Sequence, residues 1–228
     1  MVDINAVKKT MISKLKHRIL GKSQYCNQDW QKADFDWYVQ IHNSNHLLHE
    51  NFIQYFKEKK DVQTVLEVGC GTGIYPIKYK ELFSGKRYTG IDISETNIDF
   101  CKKNSDFEFI CCDLIKTDLG KTYDLVFSHA VIDHVYDIDA FLTKLVKACK
   151  KYAYINSYRG YFPELKKHQM EWRESDKCNY NNISIIQVRK VLLENGLTEK
   201  EFTIRSQKSG QTQPNLDNQL VIEIMKAV

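Results

Sequence analysis

Val65-Leu66-Glu67-Val68-Gly69-Cys70-Gly71-Thr72-Gly73 is the stretch on which the fold turns. An apolar, β-branched run leads into three glycines spaced two apart. This is how a buried strand ends in a tight turn, where a Cβ would obstruct the bend or a close approach. Working outward, residues 62–68 read as that strand, 69–73 as the turn and 74–83 as a helix. Residues 87–91 form a second strand, followed by a helix over 95–104 that Ser94 is placed to cap. Third and fourth strands fall at 107–111 and 123–128. A helix over 139–149 carries Phe141, Leu142, Leu145 and Val146 on one face, and 152–156 is a fifth strand. A helix over 185–194 ends at Gly196. Strands at 201–205 and 219–225 close the pattern, joined by a polar loop with Gly210 and Pro214. Strands alternating with helices need crossover connections, so the expectation is an α/β fold: a mostly parallel sheet with helices on both faces.

Two regions stand outside this alternation. Residues 1–61 are helical in pattern and carry Tyr25, Trp30, Phe35, Trp37 and Tyr38; they read as an N-terminal cap on a single domain whose core is 62–228. Ile12, Leu15 and Ile19 fit the inward face of a surface helix better than a targeting segment. Residues 157–183 hold Tyr158, Tyr161, Phe162, Trp172 and Tyr180 without clear periodicity. A connection of that length reads as a lid or binding loop.

Composition narrows the partners. The 228 residues are 43% hydrophobic and 27% charged, with a net charge of +4 spread without like-charge blocks. That balance asks for neither nucleic acid nor a membrane surface, and no apolar run approaches the ~20 residues of a bilayer span. The seven cysteines are odd in number and lack CxxC spacing. They read as free thiols of a reducing, cytoplasmic protein without a metal cluster.

Alone, three glycines are a weak signal. Here they follow a strand, precede a helix, and are followed 19 residues later by Asp92 at the end of the next strand. A carboxylate there can accept hydrogen bonds from the two hydroxyls of a ribose. The arrangement closely resembles the class I S-adenosylmethionine-dependent methyltransferases, whose first motif is ExGxGxG and whose second strand ends in an acidic residue. The resemblance covers about 62–160 well and the closing strands adequately, and it implies a Rossmann-like seven-stranded sheet ordered 3-2-1-4-5-7-6. It implies that Glu67 opens the motif and that Gly69, Cys70, Gly71 and Gly73 run along the amino-acid part of S-adenosylmethionine. Asp92 would take the ribose, Ile93 the adenine face, and Asp113 with Leu114 the adenine edge. A nicotinamide dinucleotide enzyme would place Gly or Ala at position 74, which is Ile.

Ligands of open parallel sheets bind beyond the carboxyl ends of the strands near the topological switch point, which puts Ser128-His129-Ala130-Val131-Ile132-Asp133-His134 beside the cofactor. Methyl transfer to a hydroxyl needs a base, and imidazole suits that task. His129 and His134 are both candidates, with Asp133 as a carboxylate that could orient one of them. His129 is also placed to touch the cofactor's methionine end. The family members that methylate base amines carry a D/N-P-P-Y/F motif here, and this chain does not. Arg159 could grip a carboxylate or phosphate, while Tyr158, Tyr180 and Asn181, with Trp172, could stack on and hydrogen-bond a sugar or other small polar metabolite. His42, His46 and His49 share a helix face and read as a polar surface rather than a metal site. The expected activity is methylation of oxygen, or else nitrogen, on a small molecule. The alternatives are a silent S-adenosylmethionine-binding module and a nicotinamide-dependent oxidoreductase. The oligomeric state is not legible.

Overall fold

A computed structural model describes residues 47–174, 178–209 and 217–227, with side chains from 49 onward. The expected helix over the first twenty residues, the aromatics from Tyr25 to Tyr38, His42, His46, and the loop of Gly210 and Pro214 lie outside the described residues. Of the N-terminal cap, helix α1 (Leu47–Lys57) is described.

Strands β1 (Thr64–Val68), β2 (Arg87–Asp92), β3 (Glu108–Cys111), β4 (Tyr123–His129) and β5 (Cys149–Ser157) pair in parallel. They join β8 (Phe202–Lys208) and β9 (Asn218–Met225) in one seven-stranded sheet of order β3-β2-β1-β4-β5-β9-β8, the last two antiparallel. With the closing strands counted as sixth and seventh, this is the 3-2-1-4-5-7-6 order expected from the sequence. β1 pairs with β2 on one side and β4 on the other, so the switch point lies between β1 and β4.

Strand alternation divides the core between the two faces of the sheet. Leu66, Val68 and Val126 face α3 (Ile138–Ala148) and α4 (Ile185–Glu194). Val65, Leu125 and Phe127 face an aromatic layer with Phe52, Phe56, Tyr75, Phe83 and Tyr154. Phe52 and Phe56 are almost wholly buried and fix α1 to the sheet; burial of each contributes roughly 1.5–3 kcal/mol. Helix α2 (Glu95–Asn104) matches its sequence bounds, and Ser94 caps it by accepting from the Asn97 N–H. The α4 bounds match as well. Its chain reverses through Gly196 at φ 85°, the left-handed conformation that favours glycine at a helix end.

Two expectations are corrected. Residues 74–83 are not a continuous α-helix but a π-helical turn, Ile74–Lys78, followed by a 3₁₀ turn, Lys80–Phe83. Pro76 lies in the first turn, where a missing N–H is tolerated, and the Ile77 and Tyr79 N–H groups donate to the Gly73 and Tyr75 carbonyls (3.0 Å each). Residues 157–183 are not irregular throughout: β6 (Gln169–Arg173) and β7 (Cys178–Asn182) form an antiparallel hairpin. The Asn-rich β7 has poor strand propensity, and tertiary hydrogen bonds hold it instead. The Asn181 N–H donates to the Asp133 carbonyl (2.7 Å), and its Nδ2 donates to the carbonyls of Ile132 (2.9 Å) and Val135 (2.8 Å). No described helix is long and apolar enough to cross a membrane.

Candidate active site

The glycine turn follows β1 directly. The N–H groups of Gly69 and Cys70 both donate to the Ile91 carbonyl (2.8 and 3.0 Å), which ties the turn to the end of β2. Gly69 has φ 76°, and a Cβ added there would lie 2.2 Å from Val131 Cγ2. The turn after β1 and the loop after β4 therefore touch at a point where only hydrogen fits. Gly69→Ala is expected to cost about 1–3 kcal/mol through the clash and the left-handed backbone, read as a lower urea midpoint.

Asp92 ends β2 with its carboxylate turned to the glycine loop. Gly71 N–H donates to Oδ2 (2.9 Å) and Ser94 N–H to Oδ1 (2.8 Å). The Asn97 side chain and the Ile93 N–H also hydrogen-bond this carboxylate. Burial raises this carboxyl above the usual range, and its hydrogen bonds pull the other way. Glu67 is buried beneath the turn and accepts from the Tyr88 hydroxyl, with burial pushing its carboxyl well up. Cys70 packs into the aromatic layer, while Cys101 donates its thiol hydrogen to the Gly71 carbonyl (3.2 Å). Ile93 is half-buried just past Asp92. Asp113 accepts from Ile115 N–H (3.0 Å) and from the Tyr136 hydroxyl (2.9 Å), and Leu114 is in the core.

His129 is the last residue of β4. It continues the Leu125 and Phe127 face, so its ring enters the aromatic layer among Phe52, Tyr75 and Tyr154, with centroids 5.0 to 5.4 Å away. Ser128 beside it donates to the Val68 carbonyl (2.9 Å), which pins β4 to the end of β1. Ala130 then turns the chain at φ 56°, an uncommon conformation for a residue with a side chain. His129 Nδ1 lies 3.3 Å from the Tyr75 hydroxyl, which is 2.8 Å from His49 Nδ1. His129 Nε2 is buried without a hydrogen-bond partner. Burial holds this imidazole's pKa well below the usual histidine value, and the His49 ring adds to that shift.

His49 corrects the reading of a polar helix face: it is buried, its ring 5.2 Å from that of Tyr75. The signal was present in the spacing, since His49, Phe52 and Phe56 stand at i, i+3 and i+7 and share the apolar stripe of α1. Tyr75 was also missed, because an α-helix over 74–83 gives it no special direction.

Asp133 and His134 sit in a separate hydrogen-bond network. Asp133 is wholly buried and accepts from Ser157 Oγ (2.5 Å), Arg159 N–H (3.2 Å) and Tyr158 N–H (3.3 Å). It fixes the end of β5 rather than hydrogen-bonding a histidine. His134 Nδ1 lies 2.7 Å from the Asn179 carbonyl, which can only accept, so Nδ1 carries the hydrogen. In the neutral ring Nε2 then accepts from the Tyr158 hydroxyl (3.2 Å). Both nitrogens of His134 are thus engaged in joining the switch loop to β5 and the hairpin. Asn181 is a buried anchor of the same junction. The two candidate histidines thus have different surroundings, one nitrogen of His129 being without a partner and both of His134 engaged.

Arg159 stands past β5 with Nη2 donating to Asn182 Oδ1 (3.3 Å) and Nε buried without a partner. Its guanidinium lies 5.3 Å from the Tyr180 ring, against which Arg173 packs at 3.9 Å. Tyr158, Arg159 and Tyr180 are thus brought together around His134. Trp172 instead donates to Glu174 (2.9 Å). Among the described residues, no cluster of three potential ligands could hold a metal ion.

The chain matches a family model described as a methyltransferase domain over residues 66–155. It is 32% identical over 96 residues to a malonyl-[acyl-carrier protein] O-methyltransferase of Acetivibrio thermocellus, covering 41% of this chain and 34% of the relative. It is 30% identical over 145 residues to the Bacillus cytotoxicus protein of the same name, covering 62% and 46%. The chain thus spans less than half the length of these curated relatives. Among solved structures it resembles a magnesium protoporphyrin IX methyltransferase of Synechocystis with bound S-adenosylhomocysteine (TM-score 0.63, 16% identity, 88% of this chain and 97% of that one). It also resembles a plantazolicin methyltransferase bound to the same molecule (TM-score 0.59, 16% identity, 94% and 99%). At those identities the likeness is one of fold.

Proposed function

Since residues 66–155 make this chain a member of the class I S-adenosylmethionine-dependent methyltransferases, we propose that it methylates an oxygen of a small acidic metabolite. The observation that carries this reading is the Asp92 carboxylate, which ends β2 and is held against the glycine turn by the Gly71 and Ser94 N–H groups. Those residues fit the cofactor: a carboxylate for ribose hydroxyls, and a turn of three glycines at positive φ to run along its amino-acid part. A nicotinamide dinucleotide would also need an α-helix N-terminus for its pyrophosphate. The turn leads into the π and 3₁₀ windings of 74–83 instead.

When bound along the glycine turn and at Asp92, S-adenosylmethionine would supply a methyl group on a positively charged sulfur for transfer to the acceptor oxygen. The chain's own task is to hold the acceptor in line, exclude water and take the hydroxyl proton. His129 Nε2, unpartnered at the end of β4 and reached by the acceptor once the layer over it parts, is the base in this reading. Arg159, unpaired with any described carboxylate and with a free N–H, holds the acceptor's anion from the end of β5.

Calorimetry and a turnover screen test this together. S-adenosylhomocysteine should bind, and Asp92→Ala should weaken binding by about 1.5–3 kcal/mol, the range for a charged hydrogen-bonding group. In the screen, carboxylate- or phosphate-bearing hydroxy compounds should release S-adenosylhomocysteine in proportion to methylated product. Binding of NAD in place of S-adenosylhomocysteine would sink the assignment. Cofactor binding with no turnover across the screen would favour a silent binding module. Neutral hits indifferent to Arg159 would remove the acidic acceptor.

A further inference from the structure

Tyr75 places one hydroxyl between two imidazole nitrogens, 2.8 Å from His49 Nδ1 and 3.3 Å from His129 Nδ1. A phenol has one hydrogen to give, so one nitrogen must accept from it and the other must donate to it. O–H donors make shorter bonds than N–H donors, which makes the 2.8 Å contact the O–H···N bond and the 3.3 Å contact the N–H···O bond. The assignment has a consequence at the far side of the second ring. If Nδ1 of a neutral imidazole carries the hydrogen, Nε2 carries a lone pair, and Nε2 of His129 is the buried atom with no partner.

We propose that Tyr75 and His49 are positioning residues that hold His129 as the Nδ1–H tautomer, with Nε2 presented bare as proton acceptor for the acceptor hydroxyl; this rests on the methyltransferase reading. The three residues come from three elements that meet at the switch point: His49 from α1, Tyr75 from the turn two residues past Gly73, and His129 from the end of β4. Packing fixes their rings. His49 and His129 stack at 6.3 Å, and Phe52 meets Tyr75 and His129 at 5.0 Å. Burial, with Glu67, Tyr154 and Tyr79 as the nearby ionisable groups, keeps the Tyr75 phenol protonated, so its single hydrogen is available. Tyr154 also stacks on His129, and no described carboxylate bonds to the His129 ring. A hydroxyl proton taken by Nε2 gives an imidazolium whose Nδ1–H stays bonded to the Tyr75 oxygen. That bond strengthens as charge develops, as a base-orienting contact should.

Tautomers can be read without substrate. Full-length protein carrying ¹⁵N-histidine would be studied at neutral pH by long-range ¹H–¹⁵N correlation, with His129 and His49 assigned from the signals lost in His129→Gln and His49→Gln. The expected pattern is a protonated Nδ1 and bare Nε2 for His129, with the reverse for His49. Tyr75→Phe should abolish the His129 pattern and leave that of His134 unchanged, which also reports that the variant is folded. A wild-type His129 with hydrogen on Nε2 overturns the proposal, and the wild-type spectrum decides this even if Tyr75→Phe does not fold. An unchanged His129 pattern in a folded Tyr75→Phe overturns it too. S-adenosylhomocysteine calorimetry on the same samples tests the methyltransferase reading separately, since failure to bind leaves the tautomer result intact.

Discussion

His129→Ala is expected to lower kcat by about 10²–10⁴-fold on an oxygen acceptor, with S-adenosylhomocysteine affinity little changed. The magnitude follows from the proton. A hydroxyl that attacked without losing it would leave a costly oxonium product, and His129 Nε2, buried without a partner, is the proton acceptor in the proposed reading. The pH profile separates this from mere loss of packing. A base works when neutral, so kcat rises as pH rises through its pKa and is level above it. Burial and the His49 ring push that pKa below the ordinary histidine value of about 6.5, which places the rising limb on the acid side of neutrality. The sequence alone would place it at neutrality, because the desolvating layer of Phe52, Tyr75 and Tyr154 is assembled from distant segments. Steady-state kcat followed downward from pH 8 as far as the fold persists should show the limb below the ordinary histidine range in wild type and lose it in His129→Ala. An alanine variant with near-normal kcat would exclude histidine catalysis. An amine acceptor would show its own pKa in the profile instead.

Asp133→Ala should be the most damaging substitution for stability, at about 3 kcal/mol or more in urea unfolding. The carboxylate is wholly buried and accepts from the Ser157 hydroxyl and from the N–H groups of Tyr158 and Arg159. Removing it strands the buried Ser157 hydroxyl and two part-buried N–H groups, and a buried donor left unsatisfied costs roughly 1–3 kcal/mol, the part-buried ones less because water can reach them. Arg159 would also lose the bond that fixes its backbone. A loss below about 1 kcal/mol would show that water or a rearranged β5 end replaces the carboxylate without difficulty.

How far the sequence could be read depended on how local the cause was. β1, β2, α2 and α4 were legible because buried runs, a Ser cap and a terminal glycine are adjacent in the chain. The winding at 74–83 was misread because a helical composition does not distinguish an α-helix from short π and 3₁₀ turns. The β6–β7 hairpin was invisible for a different reason: CNYNN carries no strand signal, and its bonds go to Asp133, Ile132 and Val135, more than forty residues away. At the candidate site, the turn after β1 and the placing of Asp92 at the end of β2 were legible in their spacing. The difference between His129 and His134 was not, since it depends on which carbonyl or hydroxyl each ring meets after folding.

The position of β9 has a kinetic consequence. It is an interior strand, with β5 on one side and β8 on the other, and it meets β5 in pairs such as Tyr152↔Met225. Its partners in β8 are far nearer in the chain, as in Lys208↔Asn218. Loop closure therefore favours a β8–β9 hairpin first and its docking on β5 afterwards, as a long-range and slow event. Until then the Tyr152-to-Ser157 edge of β5 offers unpaired N–H and C=O groups to any strand that passes, including another nascent copy. Slow closure of that edge is where refolding yield should be won or lost as protein concentration rises.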